Sequence, residues 1–417
     1  MRDDEQGSTA QAQRVDVAII GGGLVGASLG CALAGLVERH RLRVAVIEAA
    51  PLPSGAQQQR WQPSFDARAS AIALGSAQHF TNLGLWDAMA EQATPIRCIH
   101  VSERGRLGAA RLRADELDQR AMGYVIPNAW MGQVLHRRLA ELALDWHCPA
   151  RVEDIRPVPA GHRLTLSDGS RLEAGLTVLA DGGRSGLKET LGIQSRERGY
   201  DQVALITIVE VSRPHNGIAY ERFTDEGPIA LLPMRGQSMV LIWTHETGTE
   251  QALLALPDSD FLASLQAAFG DRAGRFRRVG QRHAYPLSLI TAEETVRPGL
   301  AVLGNAAHAL HPVAGQGFNL ALRGVMDLVA ALTEGLEQGE RPGSLATLHA
   351  FEARRDGDRQ AVIRFSDGLI RLFGIDHALL SHARAAGLVG FNLTGPLRHG
   401  LARRAMGVLR SATRSKA

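Results

Sequence analysis

Three apolar runs dominate the first fifty residues. Residues 15–20 (VDVAII) have the composition of a buried β-strand, and residues 24–37 form an uncharged, mostly apolar stretch long enough for several helical turns. A third run, residues 43–47, again has the composition of a short buried strand. This order predicts a strand, a helix and a second strand, which is the βαβ unit of a parallel sheet.

Glycines occupy the turn between the first strand and the helix. They are Gly21, Gly23 and Gly26, and the second strand ends at Glu48. Glycines at this spacing let backbone N–H groups approach a pyrophosphate at a helix N-terminus, and an acid about 20 residues later binds ribose hydroxyls. We therefore expect these four residues to bind a dinucleotide.

The same region has the length of a membrane span, since residues 17–37 carry no charge. Its glycines and the strand that follows directly favour the βαβ unit instead. The acidic residues Asp3, Asp4 and Glu5 are also atypical of a secretory signal. We expect a cytoplasmic protein.

Polar or glycine residues follow two further predicted strands, at 176–180 and 300–304. Because the carboxyl ends of parallel strands line the ligand crevice of an α/β sheet, the residues after them are candidates for binding. A glycine-rich turn then opens a helix, whose N-terminus favours negative charge. These candidates are Asp181, Gly182, Asn305, Gly315, Gln316 and Gly317. Because Asp-Gly is common in turns, an ordinary turn at 181–182 remains open.

The pattern changes over residues 200–290, where strand-like stretches surround one helix near 258–269. We expect an α/β, Rossmann-like dinucleotide-binding domain over 14–199 and 296–340, with some substrate-side loops in its first part. A sheet-based substrate domain over 200–295 is inserted into it. A helical region follows over 341–417.

Composition excludes several classes of protein. The apolar fraction of 45% and net charge of +3 are ordinary for a soluble protein and do not indicate nucleic-acid binding. The three cysteines contain no CxxC pair, so we expect no disulfide framework and no zinc site. His308 and His311 lie three residues apart, but no neighbouring cluster completes a metal site, and we expect no metal.

The C-terminus is strongly basic. Residues 377–417 contain seven arginine and lysine residues, no acidic residue, and interleaved apolar residues such as Leu397, Leu401 and Met406. This pattern is typical either of a segment lying on an anionic membrane surface or of a solvated terminal helix.

Three blocks in this order resemble the FAD-dependent aromatic hydroxylases of the p-hydroxybenzoate hydroxylase type, over about residues 15–410. They are the glycine turn with Glu48, the Asp181-Gly182 pair, and residues 304–319 (GNAAHALHPVAGQGFN). The last block, with residues 65–73 (FDARASAIA), looks like the ubiquinone-biosynthesis hydroxylases. Asn305 replaces the aspartate usual in the wider family, which favours the methoxyphenol-hydroxylase branch, and an amide still bonds a ribitol hydroxyl.

The resemblance implies a role for each candidate. Gly21, Gly23 and Gly26 would hold the FAD pyrophosphate, and Glu48 would hold the adenosine ribose. Arg68 would lie near the pyrophosphate and the flavin, Gln133 would contact the cofactor from a helix, and Asp181 and Gly182 would contact the FAD. Asn305 would bind the ribitol, and Gly315, Gln316 and Gly317 would lie against the isoalloxazine ring. Substrate contacts are expected from Tyr220, Phe223, Leu232 and Pro312.

The implied reaction is hydroxylation of a polyprenylphenol ring, 2-polyprenyl-6-methoxyphenol, in ubiquinone biosynthesis. It would use O₂, NAD(P)H as electron donor and a flavin C4a-hydroperoxide. The protein is expected to bind peripherally to the inner face of the cytoplasmic membrane. Other ubiquinone-biosynthesis proteins are also expected partners. Three alternatives remain: another ring position or aromatic substrate, reduction of isoprenoid double bonds, and a prenyl-binding protein of the same fold without cofactor.

Two features of the implied reaction are not assigned by the sequence. The candidates for a base that deprotonates the phenol are Tyr220, His245, His283 and Tyr285, each of which is more typical of a structural hydrogen-bonded residue. A channel for the polyprenyl tail is expected from Phe223, Ile229, Leu231, Leu232 and Met234, which are also typical of ordinary strand core.

Overall fold

The computed structural model describes residues 12–51, 69–106, 108–310, 315–374 and 378–408. Along these residues the strands are β1 (Gln13–Ile20), β2 (Val44–Ile47), β3 (Ala69–Ala73), β4 (Thr94–Ile96), β5 (Cys98–Glu103), β6 (Ala109–Arg113), β7 (Gly123–Pro127), β8 (Asp145–His147), β9 (Val152–Val158), β10 (Gly161–Leu166), β11 (Arg171–Leu179), β12 (Ser195–Val211), β13 (Ile218–Phe223), β14 (Pro228–Pro233), β15 (Ser238–Glu246), β16 (Phe276–Val279), β17 (His283–Ala292), β18 (Val296–Arg297), β19 (Leu300–Val302) and β20 (His308–Ala309). The helices are α1 (Leu24–His40), α2 (Leu74–Asn82), α3 (Trp86–Ala90), α4 (Asn128–Ala140), α5 (Leu187–Thr190), α6 (Glu250–Ala255), α7 (Asp258–Phe269), α8 (Gln316–Glu337), α9 (Leu345–Gly374), α10 (Ala378–Leu393) and α11 (Gly395–Ala405).

The first sheet has eight strands, and its centre is parallel in the order β19-β11-β1-β2-β8. Ile20 at the end of β1 is level with Leu179 of β11 and Ile47 of β2, and Leu179 is level with Val302 of β19. The carboxyl ends of four strands therefore lie at one edge, which brings together residues that are far apart in sequence. The predicted βαβ unit is confirmed.

Helices cover one face of this sheet because their apolar stripes pack against the apolar side chains of its strands. Leu29 and Leu33 of α1 and Leu328 and Leu332 of α8 are fully buried against the sheet strands, together with Phe351 of α9. Burying each such side chain stabilises the fold by about 2 kcal/mol. The α1 and α8 N-termini are thereby fixed at the edge where the strands end.

The second sheet has nine strands, in the order β20-β17-β12-β15-β14-β13-β5-β6, with β16 beside β12. Alternation along β12 gives it two apolar faces. Leu205 packs with Phe261 and Leu265 of α7, whereas Ile206 packs with Val240 on the other face. The second face looks towards the edge of the first sheet.

Strands β5 and β6, which precede residue 200, belong to this second sheet. The division of the chain at residues 199, 295 and 340 stays a prediction. A small sheet in the order β3-β7-β4 lies beside the two large sheets.

The C-terminal helices pack onto β5 and β6. Arg384 of α10 forms a 2.6 Å ion pair with Glu103 of β5, and both side chains are almost wholly buried. Ala402 and Met406 are buried with Leu112 of β6. Among the described residues, no helix combines the length and the apolar character needed to cross a membrane.

Candidate active site

A cleft of about 800 Å³ lies where the parallel strands end. The structure brings most of the sequence-predicted cofactor residues to its lining, although they come from five separate parts of the chain. The predicted residues in the lining are Gly21, Gly23, Glu48, Asp181, Gly182, Asn305, Gly315 and Gly317. This volume is in the range of small-molecule and cofactor sites.

The glycine turn requires glycine for steric reasons. Gly21 has φ +103°, and a Cβ on Gly26 would lie 1.8 Å from the Gly21 carbonyl oxygen. A Cβ on Gly23 would meet no atom within 4 Å, because that side of the turn is open to the cleft. The α1 N-terminus is thus bare, and its N–H groups face a space suited to an anion.

Glu48 is buried at the end of β2. Its carboxylate accepts hydrogen bonds from the backbone N–H groups of Gly22 at 2.6 Å and of Ala50 at 2.7 Å. Each carboxylate oxygen has a second lone pair. The two bonds fix the orientation of an acceptor that remains able to bind a hydroxyl pair.

Asp181 organises the turn after β11. Its carboxylate accepts hydrogen bonds from the N–H groups of Gly183 at 3.0 Å and Ser185 at 2.9 Å. Gly182 and Gly183 both have positive φ, near +74° and +73°, which suits glycine. The side chain therefore shapes a wall of the cleft.

The start of α8 is held by a residue to which the sequence assigned no role. The Asn319 amide donates to the carbonyls of Ala71 at 2.7 Å and Gly315 at 2.8 Å, and it accepts from the Ala73 N–H at 2.8 Å. This clamp joins the helix start to β3. Its only sequence signal is its position in the Gly-Gln-Gly-Phe-Asn run.

Asn305 lies on a short 3₁₀ turn, Gly304–Ala306, directly after β19, and is exposed in the cleft. A Cβ on Gly317 would meet no atom within 4 Å, so the space beside it is open. The amide and the open helix start therefore face the same volume from two sides.

His136 of α4 is a second residue that sequence reasoning missed. Its Nε2 lies 2.8 Å from the Gly22 carbonyl oxygen, and burial lowers the pKa of this imidazole. The neutral ring donates its Nε2–H and ties α4 to the glycine turn. Gln133 lies one helical turn earlier on α4 and is half-buried, and its contact with a cofactor stays a prediction.

Beneath the loop that carries Asn305, His308 is buried 3.3 Å from Nη2 of Arg355. Burial and the neighbouring guanidinium of Arg355 lower the pKa of His308 to about 3, so the ring is neutral. Within the described part of the chain no group of His, Cys, Asp or Glu residues has the arrangement of a metal site. Arg68, His311 and Pro312 lie outside the described residues.

A second, apolar chamber adjoins the cleft. This cavity of about 830 Å³ lies between β5, β6 and the helices α9, α10 and α11, and Phe223 lines it. Ala71 lines both chambers, and at the start of α8 Gln316 lines the cavity while Gly317 lines the cleft. The two chambers therefore meet at the predicted position of the isoalloxazine ring.

Most of the wall of the apolar cavity is apolar, and its charged side chains are Glu221, Arg323, Asp358, Arg384 and Arg404. Arg323 forms a 2.8 Å ion pair with Asp358, and Arg384 is paired with Glu103. The cavity is thus suited to a long apolar group.

The expected substrate residues are distributed over different faces. Leu232 lines the cleft and Phe223 the apolar cavity. Tyr220 lies on the other face of β13, because side chains alternate along a strand, and the structure does not bring it to either chamber. Ile229 and Leu231 are likewise turned away, into the core under α7.

The candidate bases also lie outside the lining of both chambers. His245 is buried beside Glu226 at 3.1 Å, and burial lowers the pKa of this imidazole. Tyr285 packs in the apolar cluster that includes Ile206 and Leu232. His283 lies at the start of β17 and pairs with Ile206 of β12.

These residues fit a dinucleotide of the FAD type. The turn leaves open space where a Cβ would lie, two helix N-termini face the cleft, and Glu48 presents an oriented carboxylate. Such a set matches a pyrophosphate, a ribose and a ring that gains negative charge on reduction.

Comparisons with known proteins agree with this fit. A family model described as an FAD binding domain matches residues 14–366. The chain is 40% identical over 411 residues to "Ubiquinone hydroxylase UbiL" of Rhodospirillum rubrum, covering 96% of this chain and 92% of that protein. It is 30% identical to "3-demethoxyubiquinol 3-hydroxylase" of Escherichia coli, covering 95% and 99% of the two chains.

A solved structure shares the fold at lower identity. PqsL of Pseudomonas aeruginosa, in complex with 2-aminobenzoylacetate, is 20% identical with a TM-score of 0.74, covering 91% of this chain and all of that one. Because the match spans both large sheets, the expected α/β architecture is confirmed. The chain belongs to the FAD-dependent aromatic monooxygenases, in the family of the ubiquinone-biosynthesis hydroxylases.

Proposed function

We propose that this protein hydroxylates the ring of a polyprenylphenol, 2-polyprenyl-6-methoxyphenol, in ubiquinone biosynthesis. The net reaction consumes the phenol, O₂, NAD(P)H and a proton, and yields the hydroxylated phenol, water and NAD(P)⁺. The names of relatives with high coverage, a ubiquinone hydroxylase and a demethoxyubiquinol hydroxylase, support this reaction class.

One observation supports the substrate class above others. The cofactor cleft opens beside an apolar cavity of about 830 Å³, and the two meet at Ala71 and the start of α8. A phenol with a polyprenyl tail has one polar aromatic end and one long apolar end. The ring would lie at the junction and the tail in the cavity.

Bound FAD supplies the redox chemistry, which no side chain of this protein provides. The residues of the protein bind the cofactor and orient it. The N–H groups of the turn and α1 would hold the pyrophosphate, Glu48 the ribose, and Asn305 a ribitol hydroxyl. The α8 N-terminus would stabilise negative charge on the ring edge near Gly315.

The second sheet excludes water from the reacting volume. Ile206, Leu232, Val240 and Ile242 line the cleft from β12, β14 and β15. An apolar wall opposite the ring position keeps solvent from competing with the phenol. Asn319 holds the wall formed by β3 against the α8 start, so the junction keeps its shape.

NAD(P)H is the proposed electron donor. The chain contains a single Gly-x-Gly-x-x-Gly turn at 21–26, which the proposed FAD site uses. A nicotinamide cofactor would therefore bind without a Rossmann domain of its own.

Product analysis tests the proposal. The purified protein is loaded with FAD and incubated with NAD(P)H and polyprenylphenols that differ in ring substitution, and products are identified by mass spectrometry. We expect the 6-methoxyphenol to gain one oxygen. Hydroxylation of a different ring position only, or saturation of a tail double bond, would contradict the substrate assignment. If the purified protein did not bind flavin, the proposal that it is a flavoenzyme would be contradicted.

We also propose that the protein binds peripherally to the inner face of the cytoplasmic membrane. Four large apolar side chains on the outer surface of the C-terminal helices are strongly exposed: Leu372 (50%), Val389 (45%), Leu393 (80%) and Leu397 (62%). Their neighbours Leu369, Leu388 and Phe391 line the apolar cavity. A tail leaving a bilayer at this surface would have a short path into the cavity.

The structure changes how the basic C-terminus contributes. Arg384 and Arg398 are paired with Glu103 and Glu116, so they are not available to a membrane. Residues 409–417 lie outside the described part. Because α10 also forms a wall of the cavity, point substitutions test the membrane proposal better than truncation near Asp376.

Liposome flotation of L393S/L397S, with L345S as the matched control, measures this attachment. Each exposed leucine contributes about 1 kcal/mol when it enters the bilayer, so the double variant should bind about 30-fold more weakly. Leu345 is 43% exposed at the start of α9, outside the surface formed by Leu393 and Leu397. Its replacement should change membrane binding little. Equal flotation of the double variant and the parent would contradict the proposal.

A further inference from the structure

Strands β5, β6 and β13 separate two unlike chambers. Alternate residues such as Ile99, Val101 and Leu112 line the apolar cavity on one face. The opposite face forms part of a second, basic pocket of about 610 Å³. In that face Arg111 of β6, His100 of β5 and Tyr220 of β13 lie side by side in register.

The pocket contains an excess of positive charge. Five arginines line it: Arg97, Arg111, Arg113, Arg120 and Arg272. Its only carboxylate in the described lining is Asp115, which Arg113 binds through two hydrogen bonds of 3.0 and 2.7 Å. The other four guanidinium groups have no ion-pair partner within the described part of the chain.

A buried polar group forms the base of this basic pocket. His100 is only 6% exposed, and its Nδ1 makes no hydrogen bond with another described residue. Burial and the nearby Arg111 and Arg272 lower the pKa of His100 to about 4, so the ring is neutral. An unpaired buried polar atom next to unpaired cations indicates a site that a ligand completes.

Charge beneath the same face adds to the excess. The Arg222 side chain, two residues beyond Tyr220 on β13, is 7% exposed. Its Nη1 donates to the Ser102 hydroxyl at 3.3 Å, and its buried Nε makes no hydrogen bond with another described residue. Burial and Arg272 lower the pKa of Arg222 to about 10. An anion bound in the pocket would relieve this accumulation as well.

We propose that the basic pocket binds a phosphate group. Guanidinium groups present planar pairs of N–H donors that match phosphate oxygens, and five of them line this pocket together with a neutral imidazole. The pocket lies on the face of the sheet turned away from the apolar cavity and takes no part in lining the cofactor cleft.

The surroundings favour a lipid headgroup as the source of the phosphate. The backbone N–H of Arg111 donates to the side chain of Asn392 at 3.3 Å, and Asn392 precedes the exposed Leu393. Glu116, next to Asp115, is paired with Arg398, which follows the exposed Leu397. The basic pocket thus borders the surface proposed to enter a bilayer. Free phosphate in solution is the other source of the same chemistry.

The test compares R111Q/R272Q with R43Q/R171Q. All four residues are exposed and without an ion pair in the described part. Arg43 directly precedes β2 and Arg171 begins β11, so both belong to the region of the first sheet and neither lines the pocket. Both variants lose the same charge. Flavin absorbance and the melting temperature establish that each variant is folded and loaded, independently of hydroxylation.

Two arms distinguish the sources. One measures flotation with phosphatidylcholine vesicles with and without phosphatidylglycerol, and the other titrates inorganic pyrophosphate by calorimetry. We expect R111Q/R272Q to weaken phosphatidylglycerol-dependent binding at least tenfold while the control changes it by less than threefold. Loss in the pyrophosphate arm alone assigns the site to free phosphate compounds. Equal behaviour of the two variants in both arms overturns the proposal, whether or not the enzyme hydroxylates a polyprenylphenol.

Discussion

Replacing Gly26 with alanine places a Cβ 1.8 Å from the carbonyl oxygen of Gly21. Real Cβ atoms do not approach other heavy atoms within 3.0 Å, so α1 and the glycine turn must separate by at least about 1.2 Å. The contact is with backbone, which has no flexible end that turns aside. The substitution therefore displaces the N–H groups that form the proposed pyrophosphate site.

The expected magnitude follows from this displacement. Crowding against a packed backbone costs about 1–3 kcal/mol of stability or more. A hydrogen bond to a phosphate lengthened by more than 1 Å is lost, and each such bond is worth about 1.5–3 kcal/mol. The affinity for FAD should consequently fall about 10- to 100-fold.

Two glycines of the same region serve as matched controls. A Cβ on Gly35 meets only Arg39 Nη2 at 3.9 Å, so Gly35→Ala should stabilise α1 by about 0.5–1 kcal/mol without affecting FAD. A Cβ on Gly23 meets no protein atom within 4 Å but enters the cleft, so Gly23→Ala should weaken FAD binding. Gly23 is the N-cap of α1, where alanine is less favourable than glycine, so stability should fall by up to about 1 kcal/mol, less than in Gly26→Ala.

Melting temperatures of the flavin-free proteins and fluorescence titrations with FAD distinguish the three variants. We expect Gly26→Ala to lower both quantities strongly, Gly23→Ala to lower FAD affinity with a smaller decrease in melting temperature, and Gly35→Ala to raise only the melting temperature. Parent-like FAD affinity in Gly26→Ala, or a loss of stability in Gly23→Ala as large as in Gly26→Ala, would refute the steric reasoning.

Three further outcomes are expected. In Glu48→Gln the side-chain NH₂ group would face one of the two backbone N–H donors, of Gly22 or Ala50, and could not accept its hydrogen bond. FAD affinity in fluorescence titrations should therefore fall at least tenfold. An unchanged affinity would contradict the assignment of Glu48 to the ribose. Arg384→Met leaves the buried Glu103 carboxylate unpaired, at a cost of about 3–5 kcal/mol. Proteolysis of the C-terminal helices should accelerate in this variant and slow again when Glu103→Leu is added, and equal rates in all three proteins would exclude a stabilising pair. The His308 pKa of about 3 lies below the unfolded value of 6.5, so its stabilising contribution is complete above pH 6.5 and is lost as pH falls towards 3. Between pH 7 and pH 5 the free energy of unfolding in urea should drop by about 2 kcal/mol from this group, and an equal drop in His308→Gln would contradict that origin.

The cofactor half of the molecule was predictable because its signals are local or repeated at strand ends. The glycine spacing and Glu48 lie within one βαβ unit, and Asp181 and Asn305 lie two and three residues after the ends of β11 and β19. Parallel pairing in register then brings these positions to one edge. The roles of the individual side chains towards FAD stay predictions.

The apolar cavity was not predictable, since its walls come from β5, β6 and the last three helices. The sequence favoured a channel lined from Phe223 of β13 and from β14 and the residue after it. Phe223 lines the cavity, Leu232 reaches the cleft, and Ile229 and Leu231 lie in the core. Apolar composition does not distinguish the two faces of a strand that is covered on both sides.

The charge of the C-terminus was also misleading by itself. Arg384 and Arg398 have acidic partners at Glu103 and Glu116, nearly 300 residues earlier in the chain. A count of charges along a segment does not reveal partners brought by the fold. The role of His136 was not predictable for a related reason, because a single polar residue on a helix carries no motif. Asn319 lies within the block 304–319, but the sequence does not show that its side chain joins the start of α8 to β3.

Turnover of the FAD-loaded protein with 2-polyprenyl-6-methoxyphenol, NAD(P)H and ¹⁸O₂ tests hydroxylation of a polyprenylphenol most directly. Mass spectrometry of the product should find one ¹⁸O atom on the ring, at a rate that falls when the phenol lacks its polyprenyl tail. Consumption of NAD(P)H by the flavin-loaded protein without any ¹⁸O-labelled polyprenylphenol would contradict the proposed function.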